Sequence, residues 1–332
     1  MPSSLAFQVD QYDQENWDQH TRFVEKEIPE PGQGEVLVQV YLRPVNPTDV
    51  ILITTGWGHI PTPAVPGSEG VAKVVKNGSG SSKFSEGQRV VAVQWPQFQS
   101  QGSWQQYVVV KEETLVAVHE SLSDETAAQF FINPVTVVGM VRESKLTQGS
   151  WLIQAAASSV LGRQVIALCK HKGIKTINVV RRDSAKQEIL DAGGDVAIST
   201  ESEDLVKCVK EVTGGKGAGA AIDPIGGKMT GKLVAALADG GKYMLYGALA
   251  AGEPCEVDHM DILTKSPIIT NFLIYAWVEQ PHKQEVLQET MDLLVKKVLD
   301  PYTGKKYPLR EAKAAVKASL DTARGGKILL EG

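Results

Sequence analysis

Cysteine is scarce in this 332-residue chain: only Cys169, Cys208 and Cys255 occur. They are scattered and odd in number. They suit neither a disulfide framework nor a zinc cluster, and they point to a reducing compartment. No run of about 18 apolar residues occurs, so no spanning helix and no membrane partner are expected. The first residues, MPSSLAFQVDQYDQENWDQ, lack a basic leader and a long apolar core, and they carry Asp10 and Asp13 early. A cytoplasmic location is expected, with a mitochondrial one left open. Excess charge is small, at a net −5, and gives no sign of nucleic-acid binding. Internal repeats and low-complexity segments are also missing. What remains is an ordinary globular composition, long enough for two domains.

Residues 1–120 read mostly as short strands. They are LAFQV (5–9), VLVQVYL (36–42), VAKVV (71–75), RVVAVQ (89–94) and YVVV (107–110). Gly, Ser and Asn punctuate them, as in a small barrel-like β domain. DETAAQFFINPVTVVGMVRE (124–143) reads as helix, with a break or new start at Asn133-Pro134.

From Trp151 to Asp183 the pattern changes. Trp151–Ile153 reads as a buried strand, followed by the small residues Ala155–Ser159. Leu161, Val165, Leu168 and Cys169 then recur at helical spacing up to Gly173, and Thr176–Val180 forms a second strand. Such a βαβ unit can bring a pyrophosphate to the backbone N–H groups at the start of its helix. The glycine fingerprint is degraded, because Ala157-Ser158-Ser159-Val160-Leu161-Gly162 keeps only its last glycine. An ordinary buried crossover would read the same way. Roughly 20 residues beyond the turn, where an NAD site wants an acidic residue, the chain offers Arg181-Arg182. Two guanidiniums there suit a 2′-phosphate, and a solvated loop is the alternative. Asp183 comes one residue late and is also a candidate cap for the next helix.

The alternation continues through strands at Ala197–Ser199, GAAID (219–223), KYMLYG (242–247) and PIITNFLI (267–274), with helices at Glu203–Val212 and Met229–Leu237. This is a doubly wound parallel sheet, whose ligands sit at the carboxyl ends of its strands. That rim would gather Ala157–Leu161, Arg181, Tyr246–Leu249 and Phe272–Ile274. Two further helices, Lys283–Val298 and Leu309–Leu320, and a strand at Gly326–Leu330 end the chain.

The order of these parts, with GEVLVQV, PVNPTDV, PAVPGSEGVAKVV, EGQRVVAV, LDAGGDVAI, AIDPIGG and GGKILL, resembles the medium-chain dehydrogenase/reductase superfamily over nearly the whole chain. The resemblance implies an α/β protein with a GroES-like β-barrel domain, residues 1–122 and 277–332. A Rossmann-type domain would span 123–276. Zinc-dependent relatives carry Cys where this chain has Asn46, and His where it has Ser68. Asn and Ser do not replace thiolate and imidazole as zinc ligands. A four-cysteine lobe has no counterpart in WPQFQSQGSWQQY (95–107). No metal is expected, and the remaining chemistry is hydride transfer from a nicotinamide to an already activated acceptor.

Among zinc-free branches the chain most resembles the 2-enoyl thioester reductases of mitochondrial fatty-acid synthesis, sharing NPTD, PAV-x-G-x-EG, NP-x-T at Asn133–Thr136 and TINVVR at Thr176–Arg181. By that likeness Asn133 binds near the nicotinamide and Lys327 near the cofactor. Ser158, Ser159, Val160 and Leu161, then Arg181, Arg182 and Asp183, line the cofactor. So do Tyr246, Gly247, Ala248 and Leu249, with Phe272, Leu273 and Ile274. Asn133 could instead cap the helix before Pro134. The family's proposed proton-donating tyrosine falls on Trp57, whose indole N–H is a hydrogen-bond donor but not a usable acid near neutral pH. Trp57 could still wall a flat acceptor pocket, and His59 is a second candidate donor. Thr48 is expected to make a turn hydrogen bond.

The expected activity is an NADPH-dependent, metal-independent reductase acting on the C=C of a 2-enoyl thioester. A quinone or alkenal reductase is the alternative, and a non-catalytic NADPH-binding structural or sensory protein is the alternative of another class. PIITNFLI, as an edge strand, suggests a homodimer.

Overall fold

A computed structural model of the chain describes residues 3–250, 252–321 and 325–332. The chain divides into two compact units, Met1–Ile132 with Asp300–Gly332, and Asn133–Leu299. The sequence places the same boundaries at 122/123 and 276/277. By contacts, the helix Lys283–Val295 falls in the second unit: Arg142 pairs with Glu285 at 2.9 Å, and Gln164 bonds the carbonyl of Leu299 at 2.8 Å.

In the first unit β1 (Ser3–Val9) pairs antiparallel with β2 (Thr21–Glu27). Then come β3 (Glu35–Pro44), β4 (Val71–Asn77), β5 (Arg89–Ala92), β6 (Tyr107–Lys111) and β7 (Leu115–Ala117). β3 is the spine. It pairs with β4 and β6, and Val36, Val38 and Val40 pack with Phe84, Trp95 and Leu115. Each such fully buried side chain contributes about 1.5–3 kcal/mol. Arg43, at the end of β3, is fully buried and donates to the carbonyls of Val40, Ser103, Gln105 and Gly332 at 2.7–3.0 Å. Four acceptors satisfy the guanidinium where water does not reach it.

The helix Pro47–Thr55 was not legible in the sequence, because Val50, Ile51, Ile53, Thr54 and Thr55 are β-branched and mask it. Its signal is the capping box: the Asn46 N–H donates to Asp49 at 2.9 Å, and Pro47 opens the first turn. Residues 124–143, read as one helix with a break, form three pieces. They are Asp124–Ala128, a wide turn Phe131–Val135 containing Pro134, and Thr136–Ser144.

The second unit is built on a parallel six-stranded sheet: β8 (Trp151–Gln154), β9 (Lys175–Val180), β10 (Val196–Ser199), β11 (Ala218–Asp223), β12 (Leu237–Leu245) and β13 (Ile268–Asn271). Their order is β10-β9-β8-β11-β12-β13, which reverses direction between β8 and β11. β12 starts at Leu237, so the helix expected over Met229–Leu237 ends at Ala235. A register shift between Ala218 and Ala220 accommodates the extra residues before Lys242. The strand expected over 267–274 stops at Asn271, since Phe272 turns its ring onto Gly139, where a Cβ would lie 2.4 Å from it. β13 is the edge, and most of it is exposed.

The chain then returns to the first unit, where β14 (Thr303–Pro308) and β15 (Lys327–Glu331) extend the sheet to β14-β15-β3-β4-β5-β7, with β6 also on β3. Among the described residues no helix is long and apolar enough to cross a membrane.

Candidate functional site

In the second unit the carboxyl ends of the parallel strands share one rim. β8 ends at Gln154, which is fully buried. Its Nε2 donates to the Gly162 carbonyl at 3.0 Å and to Asn178 Oδ1 at 2.7 Å. This ties the start of the helix Val160–Lys172 to two strands. The turn between them is Ala155–Ser159. Ala156, one residue ahead of the first fingerprint slot, sits at φ 52°, in the left-handed region that favours glycine. That costs about 1–2 kcal/mol and persists because neighbours fix the turn. The Ala155 N–H donates to Ile222 and the Ala157 N–H to Val179, each at 3.1 Å. The surviving Gly162 has a steric reason, for a Cβ there would lie 2.5 Å from the Ala157 carbonyl. Ser159 is the N-cap and accepts from the Gly162 N–H at 3.0 Å. The N–H groups of the first turn, at Val160 and Leu161, have no intrahelical acceptor, and Ser158 is exposed beside them.

Arg181 and Arg182 follow β9 directly. Both are exposed, and neither forms an ion pair among the described residues. Asp183 does not cap the next helix. It starts a short turn, Asp183–Ala185, and Ala185 precedes the helix Lys186–Asp191. The Asp183 carboxylate instead accepts from Ser202 Oγ at 2.6 Å, and the Asp183 N–H donates to Glu201 at 3.1 Å. Hydrogen bonds from Ser202 and Ser199 hold the Asp183 carboxyl below its usual range.

After β12, Tyr246, Gly247, Ala248 and Leu249 form a loop stitched to the one after β11. The Tyr246 N–H bonds Asp223 at 2.9 Å and the Leu249 N–H bonds Pro224 at 3.0 Å. Gly247 is needed because a Cβ would meet the Pro224 carbonyl at 2.7 Å. The Asp223 carboxylate, fully buried, accepts from the Ile225 N–H at 2.7 Å and from Tyr243 Oη at 2.8 Å, and so orders this corner. Phe272, Leu273 and Ile274 follow β13, with Leu273 exposed between two buried neighbours. The rim thus gathers the 158–161, 181–183, 246–249 and 272–274 groups. Asn133 lies in the wide turn Phe131–Val135. It is buried, and its amide makes no hydrogen bond among the described residues. It does not cap the next helix, whose N-cap is Val135.

The first unit holds Trp57 and Lys327. Trp57 is 39% exposed and tilts against Phe98, with ring centroids 6.1 Å apart. Its loop is sharply turned: Gly56, Gly58 and His59 all have positive φ, and a Cβ on Gly56 would lie 2.4 Å from the Tyr12 ring. His59 is exposed. Thr48 makes no side-chain hydrogen bond among the described residues, so the expected turn bond is not formed. Its helix is capped by Asn46 and Asp49 instead.

Around Asn46 and Ser68 lies a buried polar cluster. Lys327 Nζ donates to Asn46 Oδ1 at 2.6 Å, and Asn46 Nδ2 donates to Glu69 at 2.8 Å and to Ser68 at 3.3 Å. The other Glu69 oxygen accepts the N–H groups of Phe131 at 3.1 Å and Ile132 at 2.9 Å. Burial pushes the carboxyls of both Asp49 and Glu69 up, and for Asp49 to about 7. An amide nitrogen and an ammonium are donors, so this set does not suit a cation. Among the described residues no His/Cys/Asp/Glu group is arranged to hold a metal. Glu69 and Asp49 escaped the sequence analysis. For Glu69 the available signal was an acidic residue between Gly67 and Gly70 in the largely apolar PAVPGSEGVAKVV.

Comparison with known proteins agrees with this architecture. Residues 32–120 match the alcohol dehydrogenase GroES-like domain, and residues 160–296 match the zinc-binding dehydrogenase family. The second match does not include either former zinc position. The mitochondrial enoyl-[acyl-carrier-protein] reductase of Dictyostelium discoideum is 31% identical, over 90% of this chain and 86% of that protein. The human enzyme of that name is 28% identical, over 90% and 81%. A crystal structure from Bacillus thuringiensis, provisionally assigned as an NADPH:quinone reductase, superposes with a TM-score of 0.90 at 30% identity and full coverage of both chains. The chain therefore belongs to the medium-chain dehydrogenase/reductase superfamily of oxidoreductases, in its zinc-free branch of enoyl reductases and quinone reductases.

Proposed function

We propose that this NADPH-dependent reductase acts on a C=C bond conjugated to a carbonyl, with 2-enoyl thioesters as the first substrate class. The observation that carries this reading is the likeness to enoyl-[acyl-carrier-protein] reductases along nine-tenths of the chain. When bound, NADPH supplies a hydride to the β-carbon. The chain's own residues do the rest. The N–H groups of Val160 and Leu161 receive the pyrophosphate at a helix start. Arg181 and Arg182, which form no ion pair among the described residues, receive the 2′-phosphate. Asn133, whose amide makes no hydrogen bond among the described residues, orients the nicotinamide. The exposed Leu249 and Leu273 cover the apolar faces of the cofactor.

Trp57 favours a second reading. Its indole N–H can polarise a carbonyl but cannot deliver the α-proton, which must then come from solvent or from His59. A quinone needs no such acid, and the half-exposed Trp57 ring, tilted 59° against Phe98, offers it an apolar face. NADPH oxidation should be measured over 2-enoyl thioesters, alkenals and quinones, with and without chelator. Turnover of enoyl thioesters that the chelator does not change supports the first reading, and turnover of quinones alone moves it to the second. No NADPH binding or oxidation with any acceptor would leave only a non-catalytic role.

We further infer a homodimer formed through β13, an open sheet edge carrying exposed Ile268 and Ile269. Sedimentation giving a monomer at micromolar concentration would refute it.

A further inference from the structure

We infer that Lys327, Asn46 and Glu69 form a positioning relay that acts, through the backbone of Phe131 and Ile132, on Asn133. The inference rests on the proposed reading of Asn133 as the residue that orients the nicotinamide.

The relay begins with an ammonium and a carboxylate, each almost fully buried, at 3% and 2% exposure. Burying unpaired charge is costly, so the two must be linked. They are linked by the amide of Asn46, which accepts from Lys327 and donates to Glu69. An amide does both through two separate atoms, Oδ1 as acceptor and Nδ2 as donor, and so spans the gap between the two charges. An aspartate at 46 would face Glu69 oxygen to oxygen, and an apolar side chain would strand both charges.

The far end of the relay is the informative one. Glu69 Oε2 takes two consecutive backbone N–H groups, Phe131 and Ile132, in the wide turn Phe131–Val135 that also holds Asn133. Pro134 gives that turn no N–H and bars its neighbour from ordinary helix geometry. Glu69 takes the place of backbone carbonyls as the acceptor for the Phe131 and Ile132 N–H groups. Three donors, from Asn46, Phe131 and Ile132, hold this carboxylate, which fixes the plane of the turn just ahead of Asn133.

The relay connects three chain-distant points, at residues 46, 69 and 327, to a turn whose Asn133 amide makes no hydrogen bond among the described residues. Lys327→Met removes the charge, and Asn46→Ser removes the bridge while leaving room for a water. In the cofactor-free protein, hydrogen exchange at the Phe131 and Ile132 amides should speed up in both variants and remain unchanged on β8 and β9. Turnover should fall about tenfold to a hundredfold in both variants from misplacement of the nicotinamide, while in Asn46→Ser the NADPH Kd, read by its fluorescence, moves by less than about threefold. Combining either variant with Asn133→Ala should cost nothing beyond Asn133→Ala alone. Unchanged exchange at 131–132, or losses that simply multiply in the double variants, would overturn the relay. A wild-type protein that never oxidises NADPH would fail the functional reading, and the exchange measurement would still judge the relay. If Lys327→Met does not fold, Asn46→Ser carries the same measurements.

Discussion

Ser202 Oγ donates to Asp183 Oδ1 at 2.6 Å, which commits that carboxylate to the loop after β10. Its neighbours Arg181 and Arg182 carry no internal ion pair among the described residues. The acidic residue that an NAD site would turn toward the ribose is thus occupied, and the guanidiniums are available. The two facts together favour a 2′-phosphate.

Arg181→Ala should therefore raise the KM for NADPH and leave that for NADH almost unchanged. A charge-assisted hydrogen bond contributes roughly 1.5–3 kcal/mol, so the loss should lie on the order of tenfold to a hundredfold. Steady-state kinetics with both cofactors decide it. Equal wild-type affinity for NADPH and NADH, or a variant weakened equally toward both, would reduce the arginine pair to a solvated loop.

The sheet was legible because β-branched runs such as Thr176–Val180 alternate with apolar helical spacing, and this periodicity survives without tertiary context. The nucleotide turn was legible only in part. Ala156 holds a left-handed conformation through the bonds of its neighbours to β9 and β11, which a residue string does not display. The helix Pro47–Thr55 was hidden because packing of Leu52 and Ile53 overrides their neighbours' β propensity. The Lys327–Asn46–Glu69 chain joins residues up to 281 positions apart. No local pattern encodes such a contact, so the former zinc slots could be read as metal-free but not as a charge relay.

Trp57 occupies the slot where the resemblance implies a tyrosine, and its indole is exposed against Phe98. Trp57→Tyr introduces a phenol, which can donate a proton to a developing enolate. Turnover of 2-enoyl thioesters should rise by about tenfold or more, in the range general acids supply, while NADPH affinity stays as it was. Quinone turnover should not gain. Enoyl-thioester rates that do not change would show that the proton already comes from elsewhere, such as His59 or solvent, and would strengthen the quinone reading.

Asp49 makes a prediction about pH. Its side chain is 1% exposed and accepts the Asn46 N–H at 2.9 Å. Burial is the main reason its carboxyl is pushed up to about 7, with repulsion from Glu69 adding to it and Lys327 opposing it. A carboxyl that is harder to ionise in the folded protein than in the unfolded chain stabilises the fold while it is protonated. That contribution is complete below the unfolded value of 3.8 and is lost as pH rises through about 7. Asp49→Asn keeps an acceptor for the Asn46 N–H but cannot ionise. The unfolding free energy of wild type relative to the variant should therefore fall between about pH 4 and pH 7 and level off above. Its slope should not exceed about 1.4 kcal/mol per pH unit, the limit for one proton. Urea unfolding of both proteins across pH 5 to 8 measures the difference, and other carboxylates cancel because both proteins share them. A difference that is flat, or that grows with pH across this range, would mean that Asp49 is already ionised in the fold. The buried cluster would then hold two full negative charges against Lys327.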